Sequence, residues 1–386
     1  MVLNKYSHHT CKENFTGPKL KRTSKPKFSG KGGVKMQNIE KLKLPEHLQC
    51  KALELANAAL SKNTWKCYST GERSVQNCMK DLNEDLSLPW TERKAAVYIT
   101  WAAKEKKWAA STLEQYISAI KSAHRRNGFS VDWDTFQIKN MMRGFKNLAE
   151  PRTQRLPITP AIMRKLWEAL KAARFPLNEK RLIWAVCTML YAGSLRGGEV
   201  LGEEETCFDE HKTLLAKDVN LKELYIGNEK VKVLMVKVKN PKEMAGRGSL
   251  NVEMFESKSF TCPVRAVEKF WAAGEATQEE PFATRAKGKI LTISKFNKVL
   301  KTLLADTLKY EEGTISSHSF RSGVATAMAR AGYQDAEIQR VGRWRSDAFL
   351  KYLKLGRSSR LEQQRKLMTC LEEIGQKEIQ EMNINV

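Results

Sequence analysis

Residues His318 to Lys354 read HSFRSGVATAMARAGYQDAEIQRVGRWRSDAFLKYLK. A helix that only fills a core has no use for several of these groups. His318 and Arg321 stand at i and i+3, on one helix face. Val324, Ala325, Met328 and Ala329 supply the apolar positions that anchor that helix. Gly342 then breaks the next helix, Trp344 follows in GRWRSD, and Tyr352 stands among lysines in LKYLK. A phenol becomes a competent nucleophile where cations stabilise the phenolate. The question is whether these groups meet at one phosphate.

Two upstream motifs bear on it. In LYAGSLRGGEVLG, Arg196 follows a glycine-containing turn at the start of a helix, with Glu199 three residues on. A carboxylate so placed can aim the planar guanidinium fork at two oxygens of a phosphate, although a surface i,i+3 ion pair has the same spacing. Further on, KVLMVKVK and SLNVEMF flank the glycine-rich NPKEMAGRG and read as a β-hairpin. Its turn offers Lys239 and Lys242. Either could give a proton to a leaving oxygen, or be a solvated turn lysine. Two Arg, a Lys and a His around a phosphate would stabilise its transition state without a metal. No carboxylate cluster suits a divalent cation, so neither metal nor cofactor is expected.

The bulk composition fits a nucleic-acid partner. The chain has 386 residues, 67 Lys and Arg against 43 Asp and Glu, and a formal charge of +24. Such a field draws polyanions. Hydrophobic content of 41% is ordinary for a globular chain long enough for two or three domains. No apolar run approaches the roughly 18 residues of a membrane span, and MVLNKYSHHTCKEN lacks an apolar signal core. The eight cysteines are scattered with no CxxC pair. That points to reduced thiols rather than a disulfide framework or zinc knuckle. His8, His9 and Cys11 find no partner ligands at zinc spacing.

The chain divides by pattern. Residues 1–38, rich in Lys, Gly, Pro and Ser, read as a disordered basic tail: a phosphate-holding arm, a nuclear address or simply a solvated segment. Residues 39–149 are helical. Ser61 and Thr91 stand at cap positions, and Ser111 with Glu114 reads as a capping box. Leu113, Tyr116, Ile117 and Ile120 form one apolar face, closed by Asn127-Gly128. Basic groups gather at helix ends: Arg125, Arg126, Lys139, Arg143 and Lys146, a pattern that suits phosphates. Residues 150–160, EPRTQRLPITP, form a proline-rich linker carrying Arg152 and Arg155. Residues 161–386 make a second domain. Helices are expected at 160–173 and 179–191, then short strands at LLAKDV, ELYIG and the hairpin, then helices at 263–275, at 292–307 and on to the end. The sum is a mainly α chain with a small β-sheet.

LRGGE at 195–199, NPKE at 240–243, HSFR at 318–321, GRW at 342–344 and Tyr352 occur in the order Arg, Lys, His-x-x-Arg, His/Trp, Tyr. That order resembles the signature of the tyrosine recombinase (phage integrase) family. NTWKCY at 63–68 and TLEQYISAIKSAHRRNG at 112–128 resemble the family's core-binding domain. The likeness runs over about residues 45–360. GRWRSDAFLKYLK looks most like recombinases of eukaryotic mobile elements, the Crypton and DIRS-like groups. The chain departs from the bacterial pattern at Arg343, where a second His usually stands nine residues before the Tyr, with Trp344 one residue later.

The resemblance implies a helical core-binding domain and a mixed α+β catalytic domain closing as a C-shaped clamp on duplex DNA. Tyr352 would attack the scissile phosphate and form a 3′-phosphotyrosine. Arg196 and Arg321 would bind the non-bridging oxygens. Lys242, or second Lys239, would protonate the leaving 5′-oxygen, His318 would assist, and Trp344 would buttress the site, with Glu199 and Arg343 in support. A tetramer on two DNA sites would exchange strands through a Holliday junction. The helical tail with Leu361, Leu367, Leu371 and Ile374 would pack on its own domain or on the next protomer. The location would be nuclear in a eukaryote and otherwise intracellular with DNA. The rivals are a catalytically silent, host-adopted DNA-binding protein of the same fold, a type IB topoisomerase-like nicking-closing enzyme and, third, an RNA-binding protein, for which no RRM- or KH-like motif is present.

Overall fold

The computed structural model describes residues 21–22, 36–40, 42–150, 155–239, 241, 248–274, 277–285, 288–305, 314–353 and 365. It forms two compact units, Pro26–Arg152 and a second made of Met1–Lys25 with Thr153–Val386. Among the described residues, no helix is long and apolar enough to cross a membrane.

Among its described residues the first unit has only helices: α1 (Met36–Glu40), α2 (Glu46–Ala58), α3 (Lys62–Asp81), α4 (Glu92–Glu105), α5 (Ala110–Arg126) and α6 (Phe136–Leu148). Ser61 caps α3 by accepting from the Thr64 N–H at 3.1 Å, and Thr91 caps α4 by accepting from the Lys94 N–H. The expected cap at Ser111 is not used. Helix α5 begins at Ala110, with Ala109 at the N-cap position and no side-chain cap there, which puts Ser111 inside its first turn. Helices α3 and α5 pack closely because Gly71 leaves room, and a Cβ there would lie 3.0 Å from that of Ala119. Leu113, Ile117 and Ile120 of α5 join Val75, Trp90, Tyr98, Trp101, Trp133 and Ile138 in one core. Each such side chain taken from water stabilises the fold by roughly 1.5–3 kcal/mol.

The second unit is built around α8 (Leu177–Ala192), whose residues 182–190 are all buried. A helix apolar on every side must sit inside. Packed around it are α7 (Pro160–Ala172), α10 (Pro263–Trp271), α11 (Ile293–Leu303) and an antiparallel meander. That meander orders β3 (Val219–Ile226), β4 (Glu229–Lys239) and β5 (Ser249–Phe255), with Val219 opposite Val236 and Val236 opposite Val252. Leu234, Val236 and Val238 alternate into the core from β4.

The β4–β5 pairing is the expected hairpin. The earlier strand signals resolve differently. Residues 216–218 of LLAKDV form a 3-10 turn, and ELYIG is the end of one eight-residue strand from Val219. Gly227, at φ 60°, turns that strand into β4, so the sheet has a second hairpin.

Further helical elements among the described residues of this unit are α9 (Gly197–Val200), α12 (His318–Arg330) and α13 (Asp335–Gly342), followed by a 3-10 turn at Asp347–Tyr352. The N-terminal segment expected to be disordered has order in two places. Lys21–Arg22 (β1) pair in parallel with Cys207–Phe208 (β2), and Met36–Glu40 are helical. The tail with Leu361, Leu367, Leu371 and Ile374 lies outside the described residues, as do Arg152 and Lys242.

Candidate active site

Arg196 is delivered by the central helix. Helix α8 ends at Ala192, the chain turns through Gly193 and Ser194, and Arg196 becomes the N-cap residue of α9. Ser194 makes the turn at φ 45°, a left-handed conformation uncommon for a residue with a Cβ. Glu199, one turn on, accepts twice from Arg196. Its Oε2 takes the backbone N–H at 2.8 Å and its Oε1 takes Nη1 at 3.0 Å. The carboxylate is buried and the guanidinium about a quarter exposed. The pair is therefore a fixed arm rather than a mobile surface contact.

Helix α12 meets this turn at its own start. Gly197 lies against Ser317, and a Cβ on Gly197 would stand 2.5 Å from the Ser317 hydroxyl oxygen. The backbone beside Arg196 is thereby set against the residue preceding His318. Helix α12 itself packs on α8, with Gly323 pressed onto the backbone of Ile158, where a Cβ would collide with the carbonyl oxygen. Below it, Phe320 enters the main core, while Ala325 joins Ile338 and Phe349 in a smaller one.

His318 and Arg321 share this helix but not their environment. His318 opens the helix and is exposed. Arg321, one turn in, is 1% exposed. Its Nη1 donates to the Ser194 carbonyl at 2.8 Å, and its Nη2 donates to the Gly342 carbonyl. Its guanidinium carbon lies 4.6 Å from the centre of the Trp344 ring. Trp344 reaches that position because Gly342 has no side chain. A Cβ there would fall within the indole.

Arg343 is drawn into the same cluster. Its Nη2 donates to Glu199 Oε2 at 2.8 Å and to the Ser194 carbonyl at 3.3 Å. Arg196, Arg321 and Arg343 are thus joined through two acceptors, the Glu199 carboxylate and the Ser194 carbonyl. Sequence reasoning missed Ser194. Its signal was the Gly-Ser pair at a helix end, where left-handed residues are common.

Tyr352 ends the 3-10 turn, which packs against α12 and α13 and is pinned by buried Phe349. The structure describes its backbone but not its side chain.

Lys239 is not at a hairpin tip but ends β4, largely buried. Its Nζ meets Asp218 Oδ2 at 2.5 Å, the Glu210 carbonyl at 2.9 Å and the Thr213 carbonyl at 3.3 Å. An ammonium has three protons, and each has an acceptor here.

Among the basic groups expected at DNA, Arg125, Lys139, Arg143 and Lys146 are exposed. The last three recur at spacings of four and three along α6, so one face carries them. Arg125 and Arg126 line a cleft of about 550 Å³ on the helical unit with Tyr68 and Lys121. Arg126 also serves the fold: it pairs with Glu72, donates to the Ser122 carbonyl at 3.3 Å and covers the Trp65 ring at 5.3 Å. Arg155 forms a bridge with Thr314 in the second unit.

No family model matches the chain, and no curated protein matches it. Solved structures do. The XerH site-specific recombinase bound to palindromic difH substrate, a post-cleavage complex, aligns with TM-score 0.54 and 11% identity over 88% of this chain and 91% of that one. A lambda integrase dimer bound to a COC′ core site gives 0.53 and 16% over 80% and 95%. The Tn1549 transposon integrase in complex with transposon right end DNA gives 0.51 and 15% over 87% and 99%. What the likeness establishes is architecture: a mainly helical chain with a small antiparallel sheet, this protein has the tyrosine recombinase fold.

Proposed function

We propose that the protein is a site-specific recombinase or transposase that cuts and rejoins duplex DNA through a 3′-phosphotyrosine. The observation that carries the reading is the joining of Arg196 and Arg321 through Ser194 and Glu199, beside the start of α12 where His318 stands. The turn bearing Tyr352 packs on the same helix. The neighbouring recombinases bound to DNA, one of them in a post-cleavage complex, support it.

In this mechanism the Tyr352 phenol oxygen attacks the scissile phosphorus and gives up its proton, with His318 assisting the proton transfer. The bond to the 5′-oxygen breaks. Arg196 and Arg321 carry the charge of the non-bridging oxygens, and Lys242 protonates the leaving oxygen. Lys239, with its protons committed to Asp218 and two carbonyls, is the poorer donor. The phosphotyrosine keeps the phosphodiester energy, and a 5′-hydroxyl from a second strand reverses the step.

Two basic units would hold the duplex as a clamp, with Arg125, Lys139, Arg143 and Lys146 on phosphates. Exchange between two sites would use four protomers and a Holliday junction. The eukaryotic mobile-element affinity, and with it a nuclear location, belongs to the same proposal.

The test is covalent trapping. The full chain and its Tyr352→Phe variant are incubated with nicked duplexes from the DNA flanking the coding sequence. Products are then resolved on denaturing gels. A protein–DNA band that requires Tyr352 is expected. Tight, salt-sensitive binding with no band would instead mark a silent DNA-binding protein, and supercoil relaxation without synapsis would mark a topoisomerase.

A further inference from the structure

We propose that Arg343 is a third phosphate-binding arginine of this site, presenting Nη1 to a non-bridging oxygen of the scissile phosphate, while Trp344 forms the floor beneath Arg321. The inference rests on the functional reading above and concerns one residue within it.

The first observation is in the backbone. Helix α13 ends with the Trp344 N–H on the Gln339 carbonyl at 3.0 Å and the Arg343 N–H on the Arg340 carbonyl at 3.1 Å. That is a Schellman end, and its left-handed residue is Arg343, at φ 56° and ψ 44°. Glycine takes this position without strain, and glycine is the usual occupant. An arginine there keeps a steric penalty that the helix end does not require. The outlier therefore points to work done by the side chain.

The second observation is where that side chain goes. Its guanidinium is largely buried, and only Nη2 is used, by Glu199 and by the Ser194 carbonyl. Each of these acceptors is shared with another arginine of the cluster. Glu199 holds Arg196, and Ser194 holds Arg321. Ser194 is itself left-handed, so two strained turns face each other across these bonds.

The third observation is what remains. Arg343 Nε and Nη1 are buried and have no hydrogen-bond partner in the protein. Buried donors are nearly always paired, and a guanidinium nitrogen left without an acceptor suits an anionic oxygen. Were Arg343 only a counter-ion for Glu199, Nη2 alone would suffice and a lysine could replace it.

Two variants test this in the full chain. Arg343→Gly removes the side chain but fits the left-handed turn, so the helix end should survive. Arg343→Lys keeps the charge but loses the planar guanidinium and its unused nitrogens. Both are assayed for adduct formation on nicked duplexes carrying either a normal phosphodiester or one methylphosphonate diastereomer at the scissile position, with melting temperature recorded for each.

On the phosphodiester, adduct formation should slow by about 100-fold or more in both variants, as when one oxyanion donor is lost. On the diastereomer lacking the oxygen that Arg343 contacts, the deficit should shrink to within about threefold. Wild-type-like rates on the phosphodiester, or a deficit unchanged on both diastereomers in protein that melts normally, would overturn the proposal and leave the recombinase reading intact.

If wild type forms no Tyr352-dependent adduct, the recombinase reading fails, and Arg343 is judged by binding alone. Its contact with phosphate then predicts a salt slope for nicked-duplex binding lower by about one in Arg343→Gly. An unchanged slope would overturn this proposal as well.

Discussion

Two buried polar clusters, one in each unit, differ in whether they are closed. In the helical unit, His124 of α5 is fully buried with its ring against those of Trp90 and Trp133. Its Nε2 accepts from the Trp90 backbone N–H at 2.8 Å and from Trp133 Nε1 at 3.3 Å, so its proton sits on Nδ1 and is donated to the Ile120 carbonyl at 2.8 Å. Neither ring nitrogen has anything left to offer. In the second unit, three arginines crowd on one carboxylate and one carbonyl, two left-handed residues hold them there, and Arg343 keeps two donors unused. A closed network fixes a fold. An open one held under backbone strain is a place for a ligand.

Both clusters contain groups often taken for catalysts, and His124 shows why residue type alone misleads. It is a histidine in a helical segment rich in basic residues, yet its surroundings assign it to architecture.

Several substitutions would sharpen or break this contrast. The largest effect is expected from Arg321→Ala, which strips a buried guanidinium from the Ser194 and Gly342 carbonyls and from the Trp344 face. Adduct formation on nicked duplex should fall by about 1,000-fold, the upper range for loss of one oxyanion donor. A loss confined to about tenfold would take Arg321 out of the chemistry.

His124→Leu should act on stability instead. It leaves the Trp90 backbone N–H and the Trp133 indole N–H without their acceptor, and chemical denaturation should show a loss of about 3 kcal/mol. The same residue predicts a pH dependence. Burial holds the His124 pKa below its ordinary value of 6.5. The unfolded chain therefore takes up the proton first, and stability present above about pH 6.5 is lost as the pH falls. Denaturation midpoints measured down to pH 5 should show this decline in wild type, and the part due to His124 should vanish in the leucine variant.

Gly342→Ala should cost about 2 kcal/mol, because the new methyl occupies the space of the Trp344 ring. Adduct formation should drop with it, since the displaced indole no longer supports Arg321. The smallest effect is Ser61→Ala, which removes the α3 cap and should cost about 1 kcal/mol in denaturation with no change in the chemistry.

The sequence displayed some of this and concealed the rest for physical reasons. Caps at Ser61 and Thr91 were legible because a hydroxyl at the right spacing before an apolar period has few other roles. Ser111 had the same look, but the N-cap of α5 is Ala109, two residues earlier. The β4–β5 hairpin announced itself through alternation and a glycine-rich turn. The β3–β4 hairpin did not, because most of β3 is exposed and its pattern carries no burial signal. His318 and Arg321 were picked out by spacing. Their unequal burial was not, since it depends on Ser194 and Trp344 arriving from distant parts of the chain. Lys239 looked like a turn lysine because its partner, Asp218, is 21 positions away in sequence and meets it only in the folded chain.

The most direct measurement crosses the two clusters. His124→Leu and Arg343→Gly are each assayed for melting temperature and for adduct formation on nicked duplex, at a temperature where both are folded. The account predicts opposite failures: His124→Leu melts lower but traps DNA at the wild-type rate, and Arg343→Gly melts near wild type but traps DNA about 100-fold more slowly. If both variants lose stability and trapping in proportion, the division between a closed architectural cluster and an open chemical one is wrong.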